Sequence, residues 1–229
     1  MMYVYSFYKF SNLHQIEVIK NNLYRELDLL GIKGTILISN EGINVSISQS
    51  EQILERAINI IKDNVSLENV HFNKSKTDKI AFKKLKVKVK DEIIKLDYKE
   101  YNKSEKLKSL QPSDWNKLLS KDVQIIDMRN SFEYSLGTFK NAINLNLKNF
   151  TDLKDKTEEL NQFDKSKPTA IFCTGGIRCE KAGIFLNDIG FANVYQLKGG
   201  ILNYLDSDKE INYWNGDCFV FDDRILIKG

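Results

Sequence analysis

The sequence predicts an α/β protein with two domains, and three observations support this fold class. In the first half, short strands and two amphipathic helices follow one another in a β-α-β-β-α-β order. In the second half, apolar strands alternate with helices, which is typical of a parallel sheet covered on both faces. Between the halves lies a polar, lysine-rich stretch, KEYNKSEKLKSLQP, that shows neither pattern. A chain of 229 residues is long enough for both domains.

The first domain is predicted at residues 1–98. Its strands alternate apolar and polar residues, and its helices repeat apolar residues at helical spacing. The predicted elements are a strand at 3–9, a helix at 13–30, strands at 35–39 and 43–47 around a turn at 40–42, a helix at 50–63, and strands at about 69–73 and 84–90. This order is that of the ferredoxin-like arrangement, to which acylphosphatase-like domains also conform, so we expect an α+β domain of that type.

The second domain is predicted at residues 113–212, after a linker at 99–112. Its predicted strands and helices lie at 123–127, 142–144, 151–161 (helix), 169–173, 178–189 (helix) and 194–197. We expect a three-layer α/β domain with a parallel sheet, followed by a C-terminal strand segment at 213–229. Functional groups in such sheets lie beyond the carboxyl ends of the strands. Asp127 and Cys173 are at two such ends.

Composition excludes several classes of protein. Apolar residues make up 42% of the chain and charged residues 28%, the balance of a globular rather than a disordered protein. No apolar run approaches the roughly 18 residues that would span a membrane. Three cysteines without C-x2-C spacing predict neither a disulfide framework nor a zinc site. We therefore expect a cytoplasmic protein with reduced thiols, no metal, and no flavin or nicotinamide fingerprint.

The stretch CTGGIRCEKA, which begins at Cys173, joins an apolar strand to a helix through a glycine-rich turn. Backbone N–H groups at a helix N-terminus converge and create a positive potential. Arg178 adds a permanent positive charge, and in such a field a thiol ionises below its usual pKa of roughly 8.5. We therefore interpret Cys173 as a nucleophile; the alternative is a small buried hydrophobic residue. The active-site loop that would stabilise its anion consists of Thr174, Gly175, Gly176, Ile177 and Arg178.

The length of this loop separates two chemistries. Cysteine-type protein phosphatases need Cys-x5-Arg so that the loop wraps a phosphate, whereas Cys173 and Arg178 form Cys-x4-Arg. The shorter loop favours a smaller group on the cysteine, such as a single sulfur atom.

Three separated motifs resemble the rhodanese superfamily. They are CTGGIR, the earlier IIDMRNSFEYSLGTFKNAINL, and the later LKGGI. Together with the N-terminal NEGIN and the C-terminal CFVFDDR, they make nearly the whole chain similar to the bacterial rhodanese-like tRNA uridine hydroxylases. The resemblance implies a rhodanese-like second domain and oxygen-dependent hydroxylation of the wobble uridine of certain tRNAs to 5-hydroxyuridine.

The same resemblance implies the reactants and the essential residue. tRNA is the implied partner, with no role for DNA or a membrane, and molecular oxygen is the implied co-substrate. Cys173 is the implied essential cysteine, carrying a persulfide intermediate. Addition of Cys173 to C6 of the uracil ring, which would activate C5, is a competing hypothesis. The electron donor and the oligomeric state are not indicated by the sequence.

Several residues are interpreted as supporting this cysteine. Asp127, Arg129 and Glu133 are expected to hold the cysteine loop by ion pairs or hydrogen bonds, with direct substrate contact as the alternative. Cys179, in the first turn of the following helix, either resolves an oxidised or persulfidated Cys173 or packs inertly against the sheet. Cys218 lies in an alternating strand and is interpreted as a core residue.

Residues 74–90, KSKTDKIAFKKLKVKVK, hold eight lysines against one acidic residue. In their last part, apolar residues alternate with lysines, so one side of a strand would be basic. One interpretation is an edge strand protected from aggregation by its lysines. The other is a phosphate-binding face, which the resemblance to tRNA-modifying enzymes favours. The candidate RNA-binding residues are Lys83, Lys84, Lys86, Lys88 and Lys90.

Three functions remain open from the sequence. The first is tRNA uridine hydroxylation, which uses both the cysteine and the lysines. The alternative is a rhodanese-type sulfurtransferase carrying a cysteine persulfide, which needs the cysteine pocket but not the lysines. The third is a non-catalytic RNA-binding module, against which the intact Cys173 and Arg178 argue.

Overall fold

A computed structural model describes residues 1–98, 107–208 and 211–229. The predicted linker at 99–112 lies outside the described residues except for 107–112. The chain divides into two compact units, each with its own sheet and hydrophobic core. The first unit consists of Met1–Ile94 and Phe221–Arg224, and the second of Lys95–Val220 and Ile225–Gly229. Within the described residues, no helix has the length and apolar character needed to cross a membrane.

The first unit follows the predicted order of strands and helices. Its elements are β1 (Met2–Phe10), α1 (Ile16–Leu29), β2 (Lys33–Ser39), β3 (Gly42–Ser50), α2 (Glu51–Asn64), β4 (Asn73–Thr77) and β5 (Leu85–Val89). The largest shift is in β4, which begins where the strand predicted at about 69–73 ends. Val70 and Phe72 suggested the earlier position, but they pack against the core, and the polar residues after them pair with β1.

The strands of the first unit form one sheet in the order β4-β1-β3-β2-β5. The first four are paired antiparallel, in the order of the ferredoxin-like arrangement, which confirms that prediction. β5 is an additional edge strand that runs parallel to β2. The two lysine-bearing strands, β4 and β5, therefore lie at opposite edges of the sheet.

Both helices of the first unit bury an apolar stripe in a single core. Leu23 and Leu27 of α1 are four residues apart, as are Leu54 and Ile58 of α2, so each pair lies on one helix face. These side chains join alternate residues of the strands, such as Ile36 of β2, in one buried cluster. Burial of each large apolar side chain contributes about 1.5–3 kcal/mol.

The second unit contains the parallel sheet that the sequence predicts. Its elements are β6 (Lys108–Leu110), α3 (Pro112–Leu119), β7 (Gln124–Asp127), α4 (Ser131–Leu136), β8 (Gly137–Phe139), β9 (Ile143–Asn144), a 3-10 helix (Phe150–Lys156), α5 (Thr157–Leu160), β10 (Thr169–Phe172), α6 (Ile177–Asp188), β11 (Val194–Leu197), α7 (Gly200–Asp206), β12 (Trp214–Gly216), β13 (Cys218–Phe219) and β14 (Leu226–Ile227). The main sheet has the order β6-β11-β10-β7-β9, and all its pairs are parallel. Asp127 and Cys173 lie at the carboxyl ends of neighbouring strands.

Two elements of the second unit differ from the predictions, each for its own reason. β6 lies inside the range 99–112 that the sequence assigned to a linker; it is a short edge strand whose Lys108 and Ser109 face solvent, so it lacks an apolar signal. The helix predicted at 151–161 is a 3-10 helix followed by one turn of α-helix. Asp152 accepts hydrogen bonds from the N–H groups of Lys148 and Asn149 and fixes the tighter first turns.

The C-terminal residues contribute to the core of the second unit. β12 pairs antiparallel with β8, and β13 pairs with β14. Trp214 and Cys218 are buried in one cluster with Trp115 and Phe139. Of residues 213–229, predicted as one strand segment, β12 thus packs on β8, whereas Phe221–Arg224 are counted with the first unit.

Candidate active site

Cys173 follows β10 directly, and its side chain is enclosed by the turn that begins with it. Gly176 precedes α6 with φ 97°, a conformation that favours glycine, and its N–H group donates to the Cys173 sulfur at 3.1 Å. The Cys179 N–H group, one turn further on, donates to the Gly176 carbonyl at 3.1 Å. Of the predicted loop residues, Thr174 and Gly175 form the turn and Ile177 begins the helix. One backbone N–H group, that of Gly176, thus donates to the sulfur at the start of α6.

The carbonyl groups of the same turn point the other way, toward α7. The N–H groups of Ile201 and Leu202 donate to the carbonyl oxygens of Cys173 and Thr174 at 3.0 and 3.1 Å. Gly200 lies so close that a Cβ atom there would be 2.5 Å from each of these two oxygens. Because the carbonyls are held outward by α7, the N–H groups are left to face the sulfur.

The surroundings of Cys173 favour its anion. The side chain is fully buried, and burial alone would raise the pKa of Cys173. The Cys179 side chain, the charge of Arg178 and the backbone at the start of α6 outweigh burial and lower the pKa to about 6. This shift favours the thiolate near neutral pH, at a sulfur that is enclosed in the protein rather than open to solvent.

Glu133 connects α4 to the cysteine loop. Its two carboxylate oxygens accept hydrogen bonds from the Arg178 guanidinium at 2.7 and 2.8 Å, and one also accepts from the Thr174 hydroxyl at 3.2 Å. The other oxygen accepts from the N–H group of Asn130, at the start of α4. Burial would raise the pKa of Glu133, but Arg178 and the Asn130 N–H group hold it below its ordinary value. Glu133 therefore contacts two residues of the cysteine loop, which it was expected to hold.

Asp127 and Arg129 form a second buried ion pair, directed at a different segment. The Arg129 guanidinium donates to both Asp127 carboxylate oxygens and to the Gly137 carbonyl. The Thr138 hydroxyl also donates to Asp127, at 3.0 Å. We expected this pair to hold the cysteine loop, but its hydrogen bonds hold β8, the strand after α4. Asp127 affects the loop electrostatically, through Arg178.

The other two cysteines are in different environments. Cys179 is buried in the first turn of α6, and burial and the nearby Cys173 raise its pKa well above the ordinary value. Cys218 in β13 is also buried, and burial raises its pKa to about 12. Cys218 packs in the core of the second unit, where the sequence placed it. Within the described residues, no cluster of three His, Cys, Asp or Glu side chains could hold a metal ion.

Two residues of the site, Gly200 and Asn130, are not among the site residues that the sequence predicts. Gly200 lies in the LKGGI motif, between the end of β11 and the start of α7, where a glycine pair is a signal that a backbone approaches closely. The contact of Asn130 with Glu133 follows from the short helix α4, which has too few residues to show an amphipathic pattern.

The predicted RNA-binding lysines lie together at one edge of the first unit. Leu85 and Val87 are buried, while the lysines between and around them are exposed, namely Lys83, Lys84, Lys86, Lys88 and Lys90. The remaining lysines of the 74–90 stretch lie in β4 or just after it, at the opposite edge. The basic stretch therefore divides into two separate surfaces.

The NEGIN motif holds the segment that follows β5. The Glu41 carboxylate accepts a hydrogen bond from the N–H group of Ile93 at 2.8 Å, and the Asn44 side chain donates to the Ile93 carbonyl at 3.1 Å. At Gly42 a Cβ atom would be 2.0 Å from the Lys9 carbonyl oxygen, so a side chain is excluded. These contacts show that the motif has a structural role within the first unit.

Comparison with known proteins assigns the chain to a family. Residues 2–93 match the UPF0176 acylphosphatase like domain, and residues 111–207 match the rhodanese-like domain. The tRNA uridine(34) hydroxylase of Pelagibacter ubique is 44% identical, with the match covering 100% of this chain and 76% of the relative. Those of Synechocystis sp. and Legionella pneumophila are 40% and 37% identical, covering 98% and 97% of this chain and 82% and 89% of the relatives. The chain belongs to the tRNA uridine(34) hydroxylase family.

Proposed function

We propose that this protein hydroxylates C5 of uridine 34, the wobble position of tRNA, with molecular oxygen as co-substrate and Cys173 as the catalytic nucleophile. The relatives that cover the chain end to end support the reaction. The observation that carries the choice of residue is the Cys173 sulfur, which accepts a hydrogen bond from the Gly176 N–H group at 3.1 Å and whose pKa is lowered by its surroundings, the charge of Arg178 among them. The protein meets tRNA in the cytoplasm under this proposal.

The chemistry follows from adding a thiolate to a uracil ring. Attack of the Cys173 sulfur on C6 breaks the C5–C6 double bond and places electron density on C5, which then reacts with oxygen. Loss of the C5 proton and departure of the sulfur restore the double bond and the thiolate. One oxygen atom remains on C5 and the other leaves as water, which requires two electrons and two protons from a reductant outside the chain.

The exposed lysines around β5 supply the contact with the tRNA phosphates in this proposal. Lysines that neutralise phosphates provide most of the sequence-independent affinity for nucleic acids. Lys84, Lys86 and Lys88 alternate with the buried Leu85 and Val87, so burial of the apolar residues directs the lysines to the opposite side of the strand.

The reaction is tested by analysing tRNA nucleosides from cells that lack the gene. Mass spectrometry should show loss of 5-hydroxyuridine and its derivatives, restored by the wild-type gene and by Cys218→Ala but not by Cys173→Ala. Cys218→Ala is the matched control because it removes another buried thiol of the same unit. A loss of thiolated nucleosides, with 5-hydroxyuridine unchanged, would replace the proposal with a sulfurtransferase. Restoration by Cys173→Ala would remove the cysteine from the mechanism.

The nucleophilic step is tested with purified protein and an anticodon stem-loop carrying 5-fluorouridine at position 34. In air and with a reductant, oxygen adds to C5 beside the fluorine and no C5 proton is left to depart, so a thiolate added to C6 remains attached. We expect a covalent protein–RNA adduct with the wild-type protein and none with Cys173→Ala. Equal adduct yields would contradict attack by Cys173. A persulfide on Cys173 in the resting protein, detected by its added mass, would favour the persulfide route instead.

A further inference from the structure

The loops at the carboxyl ends of the main parallel sheet, all of them within the described residues, contain no acidic residue. They comprise residues 111, 128–130, 145–149, 173–176 and 198–199. Their charged residues are Arg129, Lys148 and Lys198. Arg129 is buried in its ion pair, so the two lysines are the exposed charges of this edge. Exposed acidic residues, Asp122 and Asp164, lie at the opposite end of the sheet, before β7 and β10.

The two lysines lie on opposite sides of Cys173 along this edge. Lys198 directly follows β11, the neighbour of β10 on one side, and Lys148 is in the loop after β9, two strands from β10 on the other side. Neighbouring strands are about 4.8 Å apart, so Lys198 begins close to the cysteine loop. Gly200, two residues later, lies against the Cys173 carbonyl. One positive charge therefore stands on each side of the reactive sulfur.

The backbones of both lysines are fixed, whereas their ammonium groups form no ion pair with any residue that the structure describes. The Lys198 N–H group donates to the Leu110 carbonyl at 2.9 Å, and its carbonyl accepts from the Asn203 side chain at 2.8 Å. The Lys148 N–H group donates to the Asp152 carboxylate at 3.1 Å. The two side chains thus extend into solvent from rigid positions, and their charges are not neutralised by the protein.

We propose that Lys198 and Lys148 bind the two phosphate groups that flank uridine 34 and so direct its base toward Cys173. This inference rests on the proposed function for its substrate. A single RNA strand carries one negative charge on each side of every nucleotide, which matches the two lysines on either side of the sulfur. Phosphate contacts fix the register of a nucleic acid without reading its sequence. The absence of carboxylates from these loops removes the repulsion that such a strand would otherwise meet.

The proposal is tested by measuring how tightly the full-length protein binds an anticodon stem-loop RNA with uridine at position 34, over a series of salt concentrations. Lys198→Ala and Lys148→Ala should each reduce the slope of log affinity against log salt by about 0.7, and the double variant by about 1.4, because each removes one contact to a phosphate of a single strand. Lys198→Arg retains the charge and should keep the slope. Lys121→Ala removes an exposed lysine at the opposite end of the sheet and should leave the slope unchanged.

Two further RNAs locate the contacts, with an uncharged methylphosphonate in place of the phosphate before or after nucleotide 34. Each alanine substitution should lose its effect on one of these RNAs, and the two lysines should differ in which one. Equal effects of Lys121→Ala, effects that persist on both modified RNAs, or no binding of the stem-loop by the wild-type protein would overturn the proposal. Binding uses neither oxygen nor a reductant, so a failure of uridine hydroxylation in cells would leave its result standing.

Discussion

The Arg178 guanidinium and the Glu133 carboxylate form a buried ion pair with two hydrogen bonds, at 2.7 and 2.8 Å. The side chains are 8% and 0% exposed, so both charges have lost nearly all their contact with water. Removal of one partner leaves the other as an unpaired charge in the interior, which is far more costly than the pair itself. The cysteine loop therefore depends on a residue from α4.

Glu133→Gln should destabilise the second unit by about 3–5 kcal/mol, because Arg178 loses its counter-charge inside the protein. Both tryptophans of the chain, Trp115 and Trp214, belong to this unit, so their fluorescence during denaturant unfolding measures its stability. Glu158→Gln makes the same chemical change at an exposed position and should have almost no effect. A loss below about 1 kcal/mol in Glu133→Gln would show that the pair does not hold the loop.

Cys173 should make the stability of the second unit depend on pH. Its pKa of about 6 lies below the roughly 8.5 of an unfolded thiol, so the folded state binds fewer protons between these values and its stability rises with pH. The contribution is complete above about pH 8.5 and is lost as the pH falls through about 6.

Relative to Cys173→Ala, the wild-type protein should therefore gain on the order of 3 kcal/mol of unfolding free energy between about pH 6 and about pH 8.5. Denaturant unfolding of both proteins at several pH values measures this difference. For Cys218, whose pKa is raised to about 12, the difference in unfolding free energy between the wild-type protein and Cys218→Ala should not change with pH until the unfolded thiol ionises. A flat difference for Cys173 as well would contradict a folded-state thiolate.

The two edges of the first sheet should differ in their effect on tRNA affinity. Lys86→Glu with Lys88→Glu changes the charge on β5, and Lys76→Glu with Lys79→Glu makes the same change at and just after β4. We expect only the β5 pair to weaken tRNA binding, and to reduce the slope of log affinity against log salt by about 1.4–1.8 if both lysines contact phosphates. Binding measured across a salt series distinguishes the pairs. Equal effects would indicate general charge attraction, and no effect from β5 would assign its lysines to protection of the edge.

Gly200→Ala should disturb the cysteine loop more than a similar glycine substitution elsewhere. Gly200 and Gly190 both have positive φ, so alanine pays a backbone cost of about 1–2 kcal/mol at either position. A Cβ atom at Gly190 meets only the Lys165 side chain at 3.6 Å and beyond, whereas at Gly200 it meets the Cys173 and Thr174 carbonyls at 2.5 Å. We expect the pH at which Cys173 is half ionised to rise in Gly200→Ala and to stay unchanged in Gly190→Ala. The ultraviolet absorbance of the thiolate, followed against pH, measures it. Equal values in the two variants would show that α7 does not orient the loop.

Local signals predict much of this fold. The spacing of the apolar residues predicts the helices and strands of the first unit. The strand-to-helix turn at Cys173 predicts backbone N–H groups directed at the sulfur, and Gly176 provides one. Glycine at Gly176 fits a backbone conformation that other residues rarely adopt. These features depend on residues within one or two turns of each other, so the sequence displays them directly.

Contacts between distant residues explain what the sequence does not display. No local rule assigns Glu41 a role, because its hydrogen-bond partner, Ile93, lies 52 residues away. The sequence likewise suggests that Arg129 supports the cysteine loop, whereas the fold brings Gly137 to its guanidinium. The sequence does not predict β6 because its residues are polar and, among the described residues, it pairs with β11 alone.

The attachment of the cysteine turn at both ends limits what it can enclose. Thr174 is fastened to α7 through its carbonyl, and Arg178 is fastened to α4 through Glu133, so the turn has no spare length between them. An inserted residue would have to detach one end or move a helix. The turn is therefore too short to form the wider ring of amides that would surround a tetrahedral oxyanion.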